Sequence, residues 1–128
     1  MKKIISVTML VILLLSLAAI SLTGCSLFQA ISYDQAKSNL ENAGYEVTVM
    51  TGEQYVERED AFPSIMAFEL EHYIYAVKGD DEIHIFFFIS TQTAEDNAGF
   101  MHCGDLSAGQ HNEVVYFATK QAKSDAGI

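Results

Sequence analysis

The sequence predicts an α+β fold, a two-layer sandwich in which about four mostly antiparallel strands carry the helices on one face. Two segments rich in β-branched and aromatic residues, Leu70 to Lys78 and Ile83 to Ser90, flank a polar turn and indicate a β-hairpin. Capping-box patterns at residues 32–35 and 93–96 predict helix starts before and after that hairpin. Helices and strands therefore alternate along the chain, which is typical of a small α+β domain.

The first helix and the first strand follow one another directly. Ser32-Tyr33-Asp34-Gln35 fits a capping box, and Gly44 lies where a left-handed residue commonly ends a helix. The apolar stripe of this helix comprises Tyr33, Ala36, Leu40 and Ala43. From Tyr45 to Met50 apolar and polar residues alternate, which predicts a half-buried strand.

The segment between this strand and the hairpin decides between two topologies. Thr51 to Glu69 is acidic and contains the only proline, and we expect it to be partly helical. If that helix forms, the order of elements fits a ferredoxin-like split βαβ fold. Without it, a three-stranded meander followed by a right-handed helical crossover is expected. In both cases Ile83 to Ile89, which is almost entirely apolar, belongs in the middle of the sheet.

The sequence of the last third of the chain predicts two further helices and one strand. Thr93-Ala94-Glu95-Asp96 fits a capping box that opens a short amphipathic helix. Gly104 to Asn112 contains two glycines and is predicted to be a loop. Glu113 to Ala118 is the fourth predicted strand, and Thr119 is placed to cap a final helix that ends at Gly127.

The hairpin has one aromatic and one aliphatic face. With Gly79-Asp80-Asp81-Glu82 as its turn, Tyr73 lies opposite Phe88, and Tyr75 opposite Phe86, on the same side of the sheet. The aliphatic side is expected to meet the helices. One interpretation is that the aromatic pairs only stabilise the sheet, by roughly 0.2–1 kcal/mol each. The other is that Tyr73, Tyr75, Phe86 and Phe88 form an open partner-binding surface, because an exposed aromatic cluster is costly unless a partner covers it.

The N-terminus carries a different kind of signal. Lys2 and Lys3 precede an apolar run from Ile4 to Ile20, which leads to Leu22-Thr23-Gly24-Cys25. This resembles the bacterial lipoprotein signal peptide with its lipobox. The resemblance implies that residues 1–24 are removed and that the thiol of Cys25 is acylated. It also implies a location on the extracytoplasmic face of the cell membrane. An uncleaved transmembrane anchor is the alternative, because the apolar run is just long enough to span a bilayer.

On this interpretation the mature chain has a lipidated tether at residues 25–31 and one α+β domain at residues 32–128. In size and pattern it resembles the small lipoproteins of Gram-positive bacteria, a likeness that carries no functional residue. All 17 acidic residues remain after Lys2 and Lys3 are removed, with five basic ones, so the net charge becomes −12. Nucleic acid is excluded as a partner because phosphate binding needs a basic surface. Docking directly on an anionic bilayer is also disfavoured.

The thiol and imidazole groups suggest two weaker hypotheses. Once Cys25 is acylated, Cys103 is the only remaining thiol, either a small buried side chain or a free reactive one. His102, Cys103 and His111 bracket the glycine loop and are candidate metal ligands, although their spacing matches no zinc motif. His72 and His84 are predicted on opposite faces of the sheet, which makes them poor joint ligands for a metal.

The sequence thus predicts a non-enzymatic, cofactor-free binding module, held at the membrane by its lipid and interacting with another envelope protein. If the aromatic face is not its binding surface, the acidic segment 52–60 and the loop 104–112 are the remaining candidates. A metal-handling lipoprotein using His102, Cys103 and His111 is the alternative. A thiol enzyme using Cys103 ranks third, because adjacent residues on a helix diverge and His102 is poorly placed to activate it.

Overall fold

Five strands form one antiparallel sheet in the computed structural model, which describes residues 31–128. Within these residues, four helices accompany the sheet. In chain order the elements are α1 (Tyr33–Asn42), β1 (Glu46–Thr51), α2 (Gly52–Val56), β2 (Leu70–Lys78), β3 (Asp81–Phe88), α3 (Thr91–Ala98), β4 (Ser107–His111), β5 (Val114–Ala118) and α4 (Lys120–Ala126). The predicted α+β class is confirmed.

The strand order is β1-β2-β3-β5-β4, and every neighbouring pair is antiparallel. The first three strands form the meander that was one of the two expected topologies. The ferredoxin-like order is not adopted, because it would insert another strand between β1 and β2. After β3 the chain crosses through α3 to the edge strand β4, and β5 then returns to lie between them.

Local sequence signals explain most helix ends. The hydroxyl of Ser32 accepts a hydrogen bond from the backbone N–H of Gln35 at 3.2 Å, and the hydroxyl of Thr119 accepts one from Ala122 at 3.3 Å. Gly44 and Gly127 both have positive φ, as predicted. The predicted start of α3 is wrong by one turn. Its cap is the hydroxyl of Ser90, which accepts from the N–H of Thr93 at 3.2 Å.

The acidic middle segment contains a short helix that begins with a reciprocal capping box. The N–H of Gln54 donates to the Thr51 hydroxyl at 3.3 Å, and the N–H of Thr51 donates to the Gln54 side-chain oxygen at 3.0 Å. The expectation of partial helix is confirmed for Gly52–Val56 alone. Residues 57–69 form turns without further helix or strand.

The predicted loop at 104–112 is wrong because residues 107–111 form the edge strand β4. Its residues have weak strand propensity, so pairing with β5 decides its conformation. Gly109 lies opposite Tyr116, and a Cβ atom added there would be 2.2 Å from the phenolic oxygen of Tyr116. Glycine at this position leaves room for the tyrosine ring.

The hairpin turn is two residues rather than four. Lys78 pairs with Asp81, and Gly79 has φ +61°, as a two-residue turn with glycine first requires. Tyr73 therefore lies opposite Phe86 instead of Phe88, and Tyr75 lies opposite His84. Because the register differs by two residues, each side chain keeps its predicted face.

Helices and irregular segments cover both faces of the sheet, not one. The first core layer packs against α1 and α4, and we call it the aliphatic face. Its buried members are Ala36, Leu40, Tyr45, Ile74, Ala76, Ile83, Ile85, Phe87, Val114, Tyr116, Ala118, Ala122 and Ala126. The second layer packs against α2, α3 and the segments that follow them, and we call it the aromatic face. Its buried members are Tyr55, Ile65, Leu70, Tyr73, Phe86, Phe88, Ala94, Met101, Val115 and Phe117.

Candidate functional site

A cavity of about 160 Å³ lies within the aromatic face, between the sheet and the segments that cover it. Strands β2 and β3 form its floor, α2 and residues 58–62 form one wall, and the segment after α3 forms the other. Its lining consists of Tyr55, Arg58, Asp60, Phe62, Tyr73, His84, Phe86, His102 and Cys103. Aromatic rings thus surround a small set of polar groups, which is the usual composition of a small-ligand site.

The covering segment is held in place by close backbone packing. A Cβ atom added to Gly52 would be 2.0 Å from the carbonyl oxygen of Leu70 and 2.4 Å from that of Ala67. The buried hydroxyl of Tyr55 accepts a hydrogen bond from the N–H of Phe62 at 3.1 Å. These contacts fix residues 57–69 over the aromatic rings of the sheet.

Three polar side chains form a hydrogen-bonded chain at the cavity floor. The hydroxyl of Tyr73 lies 2.7 Å from Nδ1 of His84, and Nε2 of His84 lies 2.7 Å from a carboxylate oxygen of Glu82. Burial raises the pKa of Tyr73 above its ordinary value, so its hydroxyl keeps its proton and is able to donate to Nδ1 of His84. The carboxylate of Glu82 accepts from Nε2–H, and the two contacts together fix the orientation of the His84 ring.

Arg58 and Asp60 form a bidentate ion pair at the mouth of the cavity. Nε and Nη2 of Arg58 donate to the two carboxylate oxygens of Asp60 at 2.7 and 2.6 Å, and the guanidinium carbon lies 5.7 Å from the centre of the Tyr73 ring. The hydrogen bonds from Arg58 lower the pKa of Asp60. Exposed pairs of this kind contribute only about 0–1 kcal/mol to stability. The main effect of the Arg58–Asp60 pair is therefore to orient the guanidinium group of Arg58 towards the cavity.

Cys103 is half-buried and contributes its thiol to the cavity wall. Burial raises the pKa of the thiol above its ordinary value, and the carboxylates of Glu82 and Asp60 raise it further. The thiol is consequently protonated at neutral pH, whereas a nucleophile or metal ligand must be a thiolate. A shallower groove of about 550 Å³ adjoins the cavity at His84 and Cys103 and is also lined by Glu82, Gly104, Asp105, Leu106 and Thr119.

The three predicted metal ligands are not brought together. His102 and Cys103 line the cavity, but the ring of His111 stacks on Tyr116, with the ring centres 6.3 Å apart. Tyr116 belongs to the aliphatic face, so His111 cannot complete a site with the other two. Within residues 31–128, no group of three or more His, Cys, Asp or Glu side chains is arranged to hold a metal ion. His72 and His84 lie on opposite faces, as predicted.

The predicted aromatic surface exists as a shared face but is not exposed. Tyr73, Phe86 and Phe88 are 2%, 1% and 1% exposed, and only Tyr75 is half-buried. Helix α2, residues 57–69 and helix α3 cover the other three rings. The expectation of an open face is wrong, because the segment whose structure was hardest to predict forms most of the cover.

Sequence reasoning did not identify Arg58, Asp60, Tyr73 and His84 as neighbours. One signal was available: Glu82 and His84 are two residues apart in a strand, so their side chains share a face. The Tyr73 hydroxyl comes within reach of His84 only in the two-residue-turn register. Both segments named as remaining candidates contribute to the site, 52–60 to the cavity wall and 104–112 to the adjoining groove.

Comparison with protein-family models, with curated proteins and with solved structures gave no match in any of the three searches. The predicted lipobox and Cys25 lie outside the described residues. Among residues 31–128 there is no helix that is both long and apolar enough to cross a membrane.

Proposed function

We propose that this chain is a lipid-anchored protein of the extracytoplasmic face of a bacterial membrane, and that its domain binds a small molecule in the cavity of the aromatic face. The anchor is supported by Leu22-Thr23-Gly24-Cys25 after a charged start and an apolar run. Binding is supported by one observation above others: donor and acceptor groups from separate segments of the chain converge on an aromatic-lined cavity.

The size of the cavity limits the ligand. An apolar cavity of about 150 Å³ accommodates a molecule the size of benzene, so about 160 Å³ suits a ligand of one ring. The rings of Tyr55, Phe62 and Phe86 provide apolar contacts for such a ring. A larger ligand would have to extend into the adjoining groove past His84 and Cys103.

The polar groups of the cavity limit the chemistry of the ligand. Arg58 uses Nε and Nη2 for Asp60, which leaves the N–H groups of Nη1 to donate to a ligand acceptor. The carboxylates of Asp60 and Glu82 disfavour an anion at the same place. A neutral ring compound with a carbonyl or hydroxyl oxygen meets both conditions.

The anchor is tested by metabolic labelling of cells that produce the full chain with an alkyne fatty acid. The wild-type protein should take up the label and lose residues 1–24. The Cys25→Ala variant should remain an unlabelled precursor. Equal labelling of the two proteins would contradict lipidation at Cys25.

The cavity is tested with benzamide and phenol as probes, titrated into the detergent-solubilised full chain and followed by nuclear magnetic resonance. Saturable shifts at Tyr73, His84 and Cys103 are expected for the wild type. Arg58→Met should weaken benzamide binding by about ten-fold or more, since a hydrogen bond to a charged group contributes roughly 1.5–3 kcal/mol. Lys37→Met, which removes a half-buried cation from α1, is the matched control and should bind as the wild type does. Shifts that do not saturate, or equal binding by the Arg58→Met variant, would contradict the cavity as the ligand site.

A further inference from the structure

One end of the sheet carries three exposed apolar side chains, Met66, Phe68 and Ile89, each more than half exposed. Met66 and Phe68 precede β2, and Ile89 follows β3. The N–H of Ile89 donates to the carbonyl oxygen of Glu69 at 2.9 Å, which joins the two segments. We call this group the apolar end; it is remote from the Gly79 hairpin turn.

The start of α1 lies at the same end of the sheet. The ring of Tyr33 stacks on His72 with ring centres 4.1 Å apart, and it meets the edge of Phe87 at 5.7 Å. His72 and Phe87 are cross-strand partners near the first residues of β2 and the last residues of β3. The opposite end of α1 is near the hairpin turn, where Nζ of Lys78 donates to the carbonyl oxygen of Ala43 at 2.7 Å. Helix α1 therefore runs along the sheet with its N-terminus at the apolar end.

The chain before α1 is short. Six residues lie between Cys25 and Ser32, and at about 3.6 Å per step the seven steps from Cys25 to Ser32 span at most about 25 Å. If Cys25 carries the lipid, as the proposed function requires, the membrane surface is within that distance of the α1 N-terminus. The apolar end is thus the part of the described chain that the anchor keeps near the bilayer.

We propose that Met66, Phe68 and Ile89 contact the lipid surface to which Cys25 is anchored, so that the domain stands on the membrane with its hairpin turn pointing away. Apolar and aromatic side chains enter the boundary between headgroups and acyl chains favourably. Glu69 accepts a hydrogen bond from the N–H of Met66 at 3.1 Å and, with Glu71, gives this end a negative rim. A zwitterionic surface is therefore favoured over an anionic one.

A second copy of the chain fits this patch less well. A stable protein interface buries about 800 Å² on each partner, and a patch built on three partly exposed side chains supplies much less. The lipid surface needs no such area, because the acyl chains of Cys25 already hold the protein and the apolar end has only to fix its orientation.

The absence of tryptophan from the chain provides a direct test. Phe68→Trp places a single fluorophore at the apolar end. Phe100→Trp is the matched control, because Phe68 and Phe100 are 75% and 78% exposed. Phe100 lies two residues before His102, which lines the cavity beside His84 and not the apolar end. The full chain, processed in cells, is reconstituted into phosphatidylcholine vesicles with and without brominated phosphatidylcholine.

The tryptophan of the Phe68→Trp variant should show blue-shifted emission and lose at least half of its intensity to brominated lipid. That of the Phe100→Trp variant should remain red-shifted and unquenched. Two results would overturn the orientation: equal quenching of both variants, or no quenching of either in protein whose lipidation is shown by fatty-acid labelling. A blue shift without bromine quenching would assign the patch to a second copy and also overturn it. Absence of fatty-acid label would instead count against the proposed function.

Discussion

The two faces of the sheet bury apolar side chains in different ways. On the aliphatic face, α1 and α4 pack against the strands through small residues such as Ala36, Ala76 and Ala122, all fully buried. Small side chains let regular helices approach closely, and the amide of Asn39 joins the two helices by donating to Ala126 at 2.9 Å. On the aromatic face, large rings are covered by a five-residue helix, one longer helix and irregular segments. Rings of this size under an irregular cover do not fill space evenly, and this face contains the cavity.

The comparison shows how one small sheet can be stable and still offer a binding site. The aliphatic face packs against regular helices through small side chains, and this packing leaves few polar groups that could recognise a ligand. The aromatic face combines polar groups with rings, so that a ligand can be both enclosed and hydrogen-bonded. Four predictions test this contrast, beginning with the largest effect.

Phe86→Ala should destabilise the domain most. Phe86 is 1% exposed and its ring packs against those of Tyr55, Tyr73 and Phe117. Truncation of a buried phenylalanine costs about 3–5 kcal/mol. Urea denaturation followed by circular dichroism measures the loss. A cost below about 1 kcal/mol would mean that the aromatic face is an open surface, as first expected from the sequence, and not a packed core.

Gly52→Ala should loosen the cover of the aromatic face. The added Cβ atom meets backbone carbonyls, which can move only if α2 separates from residues 67–70. Overpacking of this kind costs roughly 1–3 kcal/mol. Gly99→Ala is the control, because a Cβ atom there has nothing within 4 Å and φ is −66°. Thermal melts of the two variants should differ clearly, with Gly99→Ala at or slightly above the wild type; equal melting temperatures would refute the tight contact at Gly52.

Two tyrosine-to-phenylalanine changes compare the polar contacts of the two faces. Tyr73→Phe removes the hydrogen bond to half-buried His84 and should cost about 1–2 kcal/mol, because a partly buried ring nitrogen loses its partner. Tyr45→Phe removes the bond to the half-buried carboxylate of Asp125 at 2.8 Å, but that carboxylate keeps the hydrogen bond from the side chain of Gln121 at 2.9 Å. The Tyr45 variant should therefore be the more stable of the two in urea titrations, and the reverse order would contradict the enclosed character of the Tyr73–His84 contact.

The smallest effect is expected from the Arg58–Asp60 pair. Arg58 lowers the pKa of Asp60, so the pair stabilises the fold above the ordinary value of 3.8, and that contribution is lost as the pH falls through the lowered value. Arg58→Met should return the Asp60 pKa towards its ordinary value. Asp125, whose pKa is lowered by hydrogen bonds from Tyr45 and Gln121, should titrate unchanged. Carboxyl carbon resonances followed from pH 2 to 6 measure both groups, and an unmoved Asp60 would show that the pair does not persist in solution.

Local chemistry in the sequence was enough for much of the fold. The hydroxyls of Ser32 and Thr119 cap their helices, because capping depends on neighbouring residues alone. The apolar stretch in β3 lies in the middle of the sheet, because a strand that is apolar on both sides has to be covered on both faces. The division of the hairpin into an aromatic and an aliphatic face was also predictable. Side chains alternate along a strand, so an error of two residues in the register leaves every side chain on its own face.

The tertiary structure decided what covers each face and therefore where a site can form. Strand β4 depends on pairing with β5, since its own residues have weak strand propensity. The cavity joins side chains from Tyr55 to Cys103 that come from separate segments, and the irregular segment 57–69 has no periodic pattern from which its position could be deduced. The sequence by itself determined the caps of the first and last helices, the strands other than β4 and the two faces of the hairpin, because helix caps and strand alternation are local. Only the folded chain decided that the aromatic rings are buried and that Arg58, Tyr73 and His84 meet, because those contacts depend on how distant segments pack.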